Sequence, residues 1–171
     1  NYMFTVTQRV ENRGTTPVTL HPYGLLSRTD TPSVSVFWIL HEGAIGVFNG
    51  TLFETGYDDV RDDGRIEKAS TGGWIGITDK YWLTALVPDR NAPFSGSFNH
   101  RLTDAGRDLY QADYIRGGEV VPAGGAVEVV NRLFVGAKEV KILDAYMDEN
   151  GLGIANFDKA VDFGWFYFIT K

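Results

Sequence analysis

Apolar and polar residues alternate along much of the first 135 positions, a pattern typical of β-strands with one buried face. Over residues 2–10, Phe4, Val6 and Val10 alternate with polar side chains, which predicts a half-buried first strand. A second strand is predicted over residues 16–28, after a turn. The chain is therefore expected to begin as an antiparallel sheet.

The middle of the chain carries its clearest turn signal at Asn49-Gly50. These two residues separate apolar runs and predict a two-residue hairpin, because a type I′ turn requires positive φ at both central positions. Residues 71–78 and 81–87 are the most apolar predicted strands. We expect them to lie near the centre of a sheet, where both faces are covered.

Other segments give less regular patterns. Residues 34–40 are rich in β-branched and aromatic residues and are a predicted strand. Residues 107–115 and 127–135 are also predicted strands, with a turn between them at residues 122–125. Residues 91–102 are predicted to contain one short strand. The acidic residues 57–68 do not fit a calcium-binding loop, since a required acidic ligand is missing, and are predicted to form a solvated loop.

The pattern changes near residue 137. Val140, Leu143, Tyr146 and Met147 recur at helical spacing within residues 138–149, and Asn-Gly follows as a helix stop signal. The prediction is a mainly β fold. An antiparallel β-sandwich over residues 1–136 is followed by two C-terminal α-helices within residues 137–171, in one domain overall.

The last fifteen residues, 157–171, become apolar on every side in their second half. As a helix they would reach about 22 Å, which is too short for a bilayer core of about 30 Å. Their aromatic residues beside a lysine suit a membrane interface, whereas the alternative is a terminal core element. The candidate functional residues are Phe157, Asp162, Phe163, Gly164, Trp165, Phe166, Tyr167, Phe168 and Lys171.

Composition narrows the possible functions. The chain of 171 residues has a net charge of −6 and no cluster of basic residues, which argues against a nucleic-acid partner. It contains no cysteine, so disulfide scaffolds and cysteine-ligated zinc are excluded. No motif indicates a cofactor, and no stretch reaches transmembrane length. Because Asn1 already reads as the inside of a strand, we expect the chain to be a fragment.

Two groups of residues are candidates for a cleft. His41 and Glu42 could provide acid–base chemistry, but neighbours on a strand point to opposite faces, and the alternative is a histidine that holds a loop. Trp74, Tyr81 and Trp82 could line a sugar-binding face or belong to the core. Both alternatives remain open for each group.

Three blocks carry a family resemblance: residues 71–89, 133–143 and 157–171. Together they resemble the large periplasmic domain of the bacterial YidC membrane protein insertase family. The motifs His41-Glu42-Gly43 with Ile45-Gly46, and Pro22-Tyr23-Gly24, are also similar to that family. The blocks occur in the family's order and cover nearly the whole chain, as the C-terminal portion of that domain.

The resemblance implies a β-super-sandwich similar to galactose mutarotases, followed by C-terminal helices, on the periplasmic side of the inner membrane. It implies a non-catalytic module whose tail leads through an interfacial segment towards a transmembrane helix. The implied partners are SecD–SecF and the Sec translocon, the insertase's transmembrane core, nascent membrane proteins and the membrane interface. A carbohydrate-binding or mutarotase-like sandwich is the alternative.

Overall fold

The computed structural model describes residues 2–32, 41–148 and 150–161. Within these ranges the chain forms twelve strands, two α-helices and one 3₁₀ helix. The elements in chain order are β1 (Met3–Glu11), β2 (Val18–Leu20), β3 (Tyr23–Thr29), β4 (Gly43–Phe48), β5 (Thr51–Gly56), α1 (Tyr57–Asp63), β6 (Arg65–Thr71), β7 (Gly73–Thr78), β8 (Trp82–Val87), β9 (Pro93–Leu102), β10 (Asp108–Arg116), β11 (Glu119–Val121), β12 (Ala126–Ala137), α2 (Val140–Met147) and the 3₁₀ helix (Phe157–Ala160).

The strands form two main antiparallel sheets and one small ribbon. A six-stranded sheet has the order β1-β12-β8-β7-β4-β5, and a four-stranded sheet has the order β3-β10-β9-β6. Strands β11 and β2 pair as a separate ribbon. The predicted mainly β, antiparallel sandwich with helices is thus confirmed, and β7 and β8 lie at the centre of their sheet as predicted.

Each face of the six-stranded sheet carries its own core. On the inner face, side chains such as Phe48, Ile75 and Phe98 pack between the two sheets. On the outer face, Trp74 and Phe134 pack beneath α2 and the 3₁₀ helix. Successive side chains of a strand point to opposite faces, so β7 supplies Trp74 to one core and Ile75 to the other. The fold therefore has three layers: the four-stranded sheet, the six-stranded sheet in the middle, and a layer formed by α2 and the 3₁₀ helix.

The four-stranded sheet does not cover the whole inner face. Phe4 lies opposite Leu133, which lies opposite Leu86 of the inner core, so these three side chains share one face. Phe4 is nevertheless 54% exposed, and Val6 and Val10 are exposed beside it. The prediction of a half-buried first strand is therefore wrong: β1 is an edge strand that lies outside the reach of the opposite sheet.

The predicted solvated loop at residues 57–68 is also wrong. It forms α1 and most of β6. Asp59 accepts a hydrogen bond from the Gly56 backbone at the start of α1, while Tyr57 and Val60 are buried one turn apart. This short helix exists because two of its side chains reach the inner core, which the acidic composition did not reveal.

Other strand boundaries differ from the prediction for similar reasons. Residues 16–28 form two strands in different sheets, separated at Pro22, which cannot donate a ladder hydrogen bond. The short strand predicted within 91–102 is the ten-residue β9, stabilised by pairing with both β10 and β6. The hairpin at Asn49-Gly50 is confirmed, with φ of 49° and 77°. The strand predicted at 34–40 lies outside the described residues.

Candidate functional site

The last described residues of the chain pack on the outer face of the six-stranded sheet, over Trp74 and Phe134. The ring of Phe157 meets Trp74 edge to face, with ring centroids 5.2 Å apart. It meets Phe134 in the same manner at 5.3 Å. All three rings are completely buried. Edge-to-face contacts of this kind add about 0.5–1.5 kcal/mol beyond the burial of apolar area, so Phe157 anchors the segment it begins.

Two polar contacts hold the linker that leads into Phe157. The Trp74 indole Nε1 donates a hydrogen bond to the Ala155 carbonyl at 3.1 Å. The Asn156 side-chain Nδ2 donates to the Gly50 carbonyl at the tip of the β4–β5 hairpin, at 2.6 Å. A buried indole N–H requires an acceptor, and the linker backbone provides it. The chain is thus fixed to the sandwich immediately before its final segment.

The structure places only the beginning of the predicted tail. Phe157 is buried as a core residue. No helix within the described ranges is long and apolar enough to cross a membrane. The remaining predicted tail residues, Asp162, Phe163, Gly164, Trp165, Phe166, Tyr167, Phe168 and Lys171, lie outside the described residues.

A second candidate is a cavity of about 360 Å³ lined by β3 of one sheet and by β7, β8 and their turn in the other, which we call the mouth pocket. Arg28 Nη1 donates to Asp79 Oδ2 at 2.6 Å, and the Tyr57 hydroxyl donates to Asp79 Oδ1 at 3.0 Å. Burial and the nearby Asp79 carboxylate raise the pKa of Tyr57 well above its ordinary value. Trp82 forms one wall of this pocket and is 59% exposed. The pocket thus combines a paired charge with an open aromatic face.

The aromatic residues proposed for a sugar-binding face do not act together. Trp74 lies in the outer core, whereas Trp82 faces the mouth pocket and Tyr81 precedes it at an exposed position. Trp82 is the first residue of β8 and is exposed there. One of the three residues is therefore core and two are surface residues.

The histidines are dispersed. A ring nitrogen of His41 lies 3.0 Å from the Ala44 carbonyl, while Glu42 Oε1 accepts a hydrogen bond from the Lys80 backbone at 2.8 Å. His21 contacts the Arg116 carbonyl, and His100 pairs with Asp108 at 2.8 Å. His41 and Glu42 thus contact different segments.

Among the described residues, no group of three or more His, Cys, Asp or Glu side chains could hold a metal ion.

Sequence reasoning did not single out the Arg28–Asp79–Tyr57 group. Arg28 and Asp79 lie 51 positions apart, and Tyr57 stands in the segment predicted as a loop. The three converge because β3, α1 and the β7–β8 turn meet at one end of the sandwich. No local signal in the sequence marks such a convergence.

Comparison with known proteins identifies the family. A model described as the YidC periplasmic domain matches residues 1–171. This chain belongs to the YidC periplasmic domain family. It is similar to proteins named membrane protein insertase YidC from Methylobacterium sp. (strain 4-46) and Sinorhizobium fredii, with 44% identity to each over 99% and 100% of the chain. The YidC protein from Rickettsia canadensis is 43% identical over 100% of the chain.

The chain spans only a part of these YidC relatives. It covers 28% of the Methylobacterium and Sinorhizobium proteins and 30% of the Rickettsia protein. The family described by the matching model is a periplasmic domain, and the relatives are named as insertases. The family resemblance predicted from the three sequence blocks is therefore confirmed.

Proposed function

We propose that this chain is the non-catalytic periplasmic domain of a membrane protein insertase of the bacterial inner membrane. It supports the insertion and folding of inner-membrane proteins together with the Sec translocon. Its partners are SecD–SecF, the insertase's own transmembrane core and nascent membrane proteins. The support is the family match along the whole chain.

The proposal assigns different roles to the two parts of the chain. Residues 1–136 are a rigid body with the surfaces for partners, and residues 137–171 connect this body to the membrane. The observation that carries this division is the burial of Phe157 between Trp74 and Phe134. A segment anchored so firmly at its beginning transmits the orientation of whatever follows it, from Asp162 to Lys171, to the sandwich.

The first experiment inserts Gly-Ser-Gly-Ser after Val161 in the full-length parent insertase. The insertion leaves the Phe157 contacts in place but uncouples them from the following residues, since Gly/Ser linkers are flexible. We expect growth to fall in cells depleted of their own insertase. The matched control is the same insertion at Gly106, a positive-φ turn residue with open space around it, where growth is expected to be normal.

The result depends on the folded state of both variants. Protease resistance of the isolated domain checks that each insertion leaves the fold intact. Equal growth of the two variants would contradict the proposed coupling. A complementary pair replaces Phe163–Phe168 with polar residues in one variant and the exposed Asp62 and Asp63 with asparagine in the other. We expect only the first to impair growth, because a solvated surface tolerates such changes.

A second candidate function is carbohydrate binding at the mouth pocket. The observation that favours it is the exposed Trp82 beside the Arg28–Asp79 pair, since sugar rings stack on aromatic faces and sugar hydroxyls bond to charged groups. Calorimetric titration with glucose, galactose and maltose tests it. Saturable heat that disappears in Trp82→Ala supports this function, and no heat with any of the three sugars rejects it for this class.

A further inference from the structure

The inner face of the six-stranded sheet extends beyond the sheet that packs against it. Strand β3, an edge of the four-stranded sheet, lies opposite β7 and β8. The next two strands of the wider sheet are β12 and β1. The ribbon of β2 and β11 packs beside Val127 and Val129 at one end of these two strands. Their other end, near the mouth pocket, is open.

Exposed apolar side chains form the floor of this open region. Val135 lies opposite Thr84, and Thr84 lies opposite Ile77 of the inner core, so Val135 belongs to the inner face. The exposed members of this face are Phe4, Val6, Trp82 and Val135, each between 39% and 59% exposed. Neighbouring exposed apolar side chains of this kind mark interaction sites on globular proteins.

The free edge of β3 runs beside this floor. The Pro22 carbonyl and the Asp30 N–H, at the two ends of β3, both bond to β10. Because the backbone groups of a strand alternate between its two edges, Leu25, Ser27 and Thr29 direct theirs away from β10. No hydrogen bond joins those groups to another residue within the ranges that the structure describes. The edge is therefore available for pairing.

The floor and the edge together form a slot that is closed at one end, which we call the strand slot. At the closed end, Gln8 Nε2 donates a hydrogen bond to the Tyr23 carbonyl at 3.1 Å and bridges β1 to β3. At the open end, Thr29 and Trp82 lead into the mouth pocket. The free edge from Leu25 to Thr29 is about 14 Å long, which suits five residues of extended chain.

We propose that the strand slot binds an extended segment of a partner polypeptide, which adds to β3 as an antiparallel strand. An extended chain with apolar residues at alternate positions satisfies the backbone edge and the apolar floor together. Every strand pair that the structure describes is antiparallel. In that arrangement the apolar residues of the segment face the floor, and the residues between them bond to Leu25, Ser27 and Thr29.

Charge and continuity favour a basic partner over a second copy of the chain. The chain has a net charge of −6, so two copies repel each other and a positively charged segment is attracted. The added strand continues the four-stranded sheet and extends the inner core over the open region. The site does not depend on the proposed function.

The test measures fluorescence anisotropy of a labelled peptide, Lys-Thr-Val-Thr-Val-Thr-Lys, titrated with the 171-residue chain. Its valines face the floor and its threonines pair with β3. Methylating the threonine amides removes the N–H groups that face β3, whereas methylating the valine amides removes those that face away. We expect the first change to weaken binding at least about tenfold and the second less than about twofold. Equal effects of the two changes, or no binding at all, would overturn the strand addition.

A matched pair of protein variants tests the floor. Val135 and Val130 lie on the same strand and are 44% and 45% exposed, but Val130 is on the outer face with Phe134. We expect Val135→Asp to weaken peptide binding at least about tenfold, since the charge would be covered by the peptide, and Val130→Asp to leave it unchanged. Equal weakening would overturn the site. If circular dichroism shows that Val135→Asp is unfolded, Phe4→Asp replaces it, because Phe4 is exposed on an edge strand.

The occupant is tested by sedimentation of the chain and by repeating the titration with the full-length parent. A dimer of the chain that the peptide dissociates would assign the slot to a second copy and overturn the partner. Peptide binding to the chain but not to the parent would show that the parent's own residues fill the slot, and would also overturn it. Binding to both, with normal growth of the Val161 insertion variant, would reject the proposed function and keep the slot.

Discussion

Two tryptophans on neighbouring strands show how differently the two ends of this sandwich are built. Trp74 of β7 is completely buried under the linker, and its indole N–H is bound to the Ala155 carbonyl. Trp82 of β8 is 59% exposed at the mouth pocket. The same residue type thus joins a closed aromatic core at one place and an open surface at the other. The burial of a side chain in this sandwich is therefore decided by the layer that covers its strand.

The largest effect is expected for Trp74→Ala in the closed core. Trp74→Ala should lower the free energy of unfolding by about 3–5 kcal/mol, because it opens a cavity next to Phe157 and Phe134. Urea unfolding followed by circular dichroism measures the loss. A loss below about 1 kcal/mol would mean that the linker does not close over this core in solution.

An intermediate effect is expected at the mouth pocket for Tyr57→Phe. This change removes the hydrogen bond from the Tyr57 hydroxyl to Asp79 and should cost about 0.5–1.5 kcal/mol at pH 8. Burial keeps the pKa of Tyr57 raised in the folded state, so above pH 10 the unfolded state alone loses this proton. The stability contributed by the neutral phenol is therefore present below pH 10 and decreases as the pH rises further.

The raised pKa of Tyr57 predicts how the unfolding free energy depends on pH. The unfolding free energy of the wild-type chain should fall more steeply between pH 9 and pH 11 than that of Tyr57→Phe. The gap between the two proteins should consequently narrow as the pH rises. Urea titrations at pH 8, 9, 10 and 11 measure it, and a gap that stays constant would show that Tyr57 ionises as readily in the folded state as in the unfolded state.

The smallest effect is expected for Trp82→Ala. An exposed side chain at the beginning of a strand contributes little packing, so the unfolding free energy should change by no more than about 0.5 kcal/mol. The same urea titration measures it beside Trp74→Ala. A loss comparable to that of Trp74→Ala would show that a further layer covers the mouth pocket, and the contrast between the two ends would then be lost.

The sequence predicted what depends on neighbouring residues. The Asn49-Gly50 hairpin follows from the φ requirement of its turn, and the central position of β7 and β8 follows from their continuous apolar character. Helix α2 follows from the spacing of Leu143 with its apolar neighbours. Each of these signals lies within one short stretch of sequence, so each can be read without knowing the rest of the fold.

What the sequence did not predict depends on distant layers. The exposure of Phe4 is set by how far the opposite sheet extends, and α1 exists because Tyr57 and Val60 meet that sheet. The mouth pocket is likewise assembled from elements far apart in the chain, as with Arg28 and Asp79. The tail is singled out by its apolar second half, but Trp74, the partner of Phe157, lies 83 positions earlier and carries no local signal of that pairing.

The anchoring of Phe157 has a mechanical consequence. A pulling force applied beyond Val161 would reach the interlocked rings of Phe157, Trp74 and Phe134 before it reached any strand. Behind them, β12 is held on both sides by antiparallel ladders to β1 and β8, which resist sliding collectively. The domain would thus yield first by peeling of its linker from these rings, while the sandwich stayed whole. The aromatic cluster is therefore the first contact to break when force acts between the sandwich and the residues after Val161.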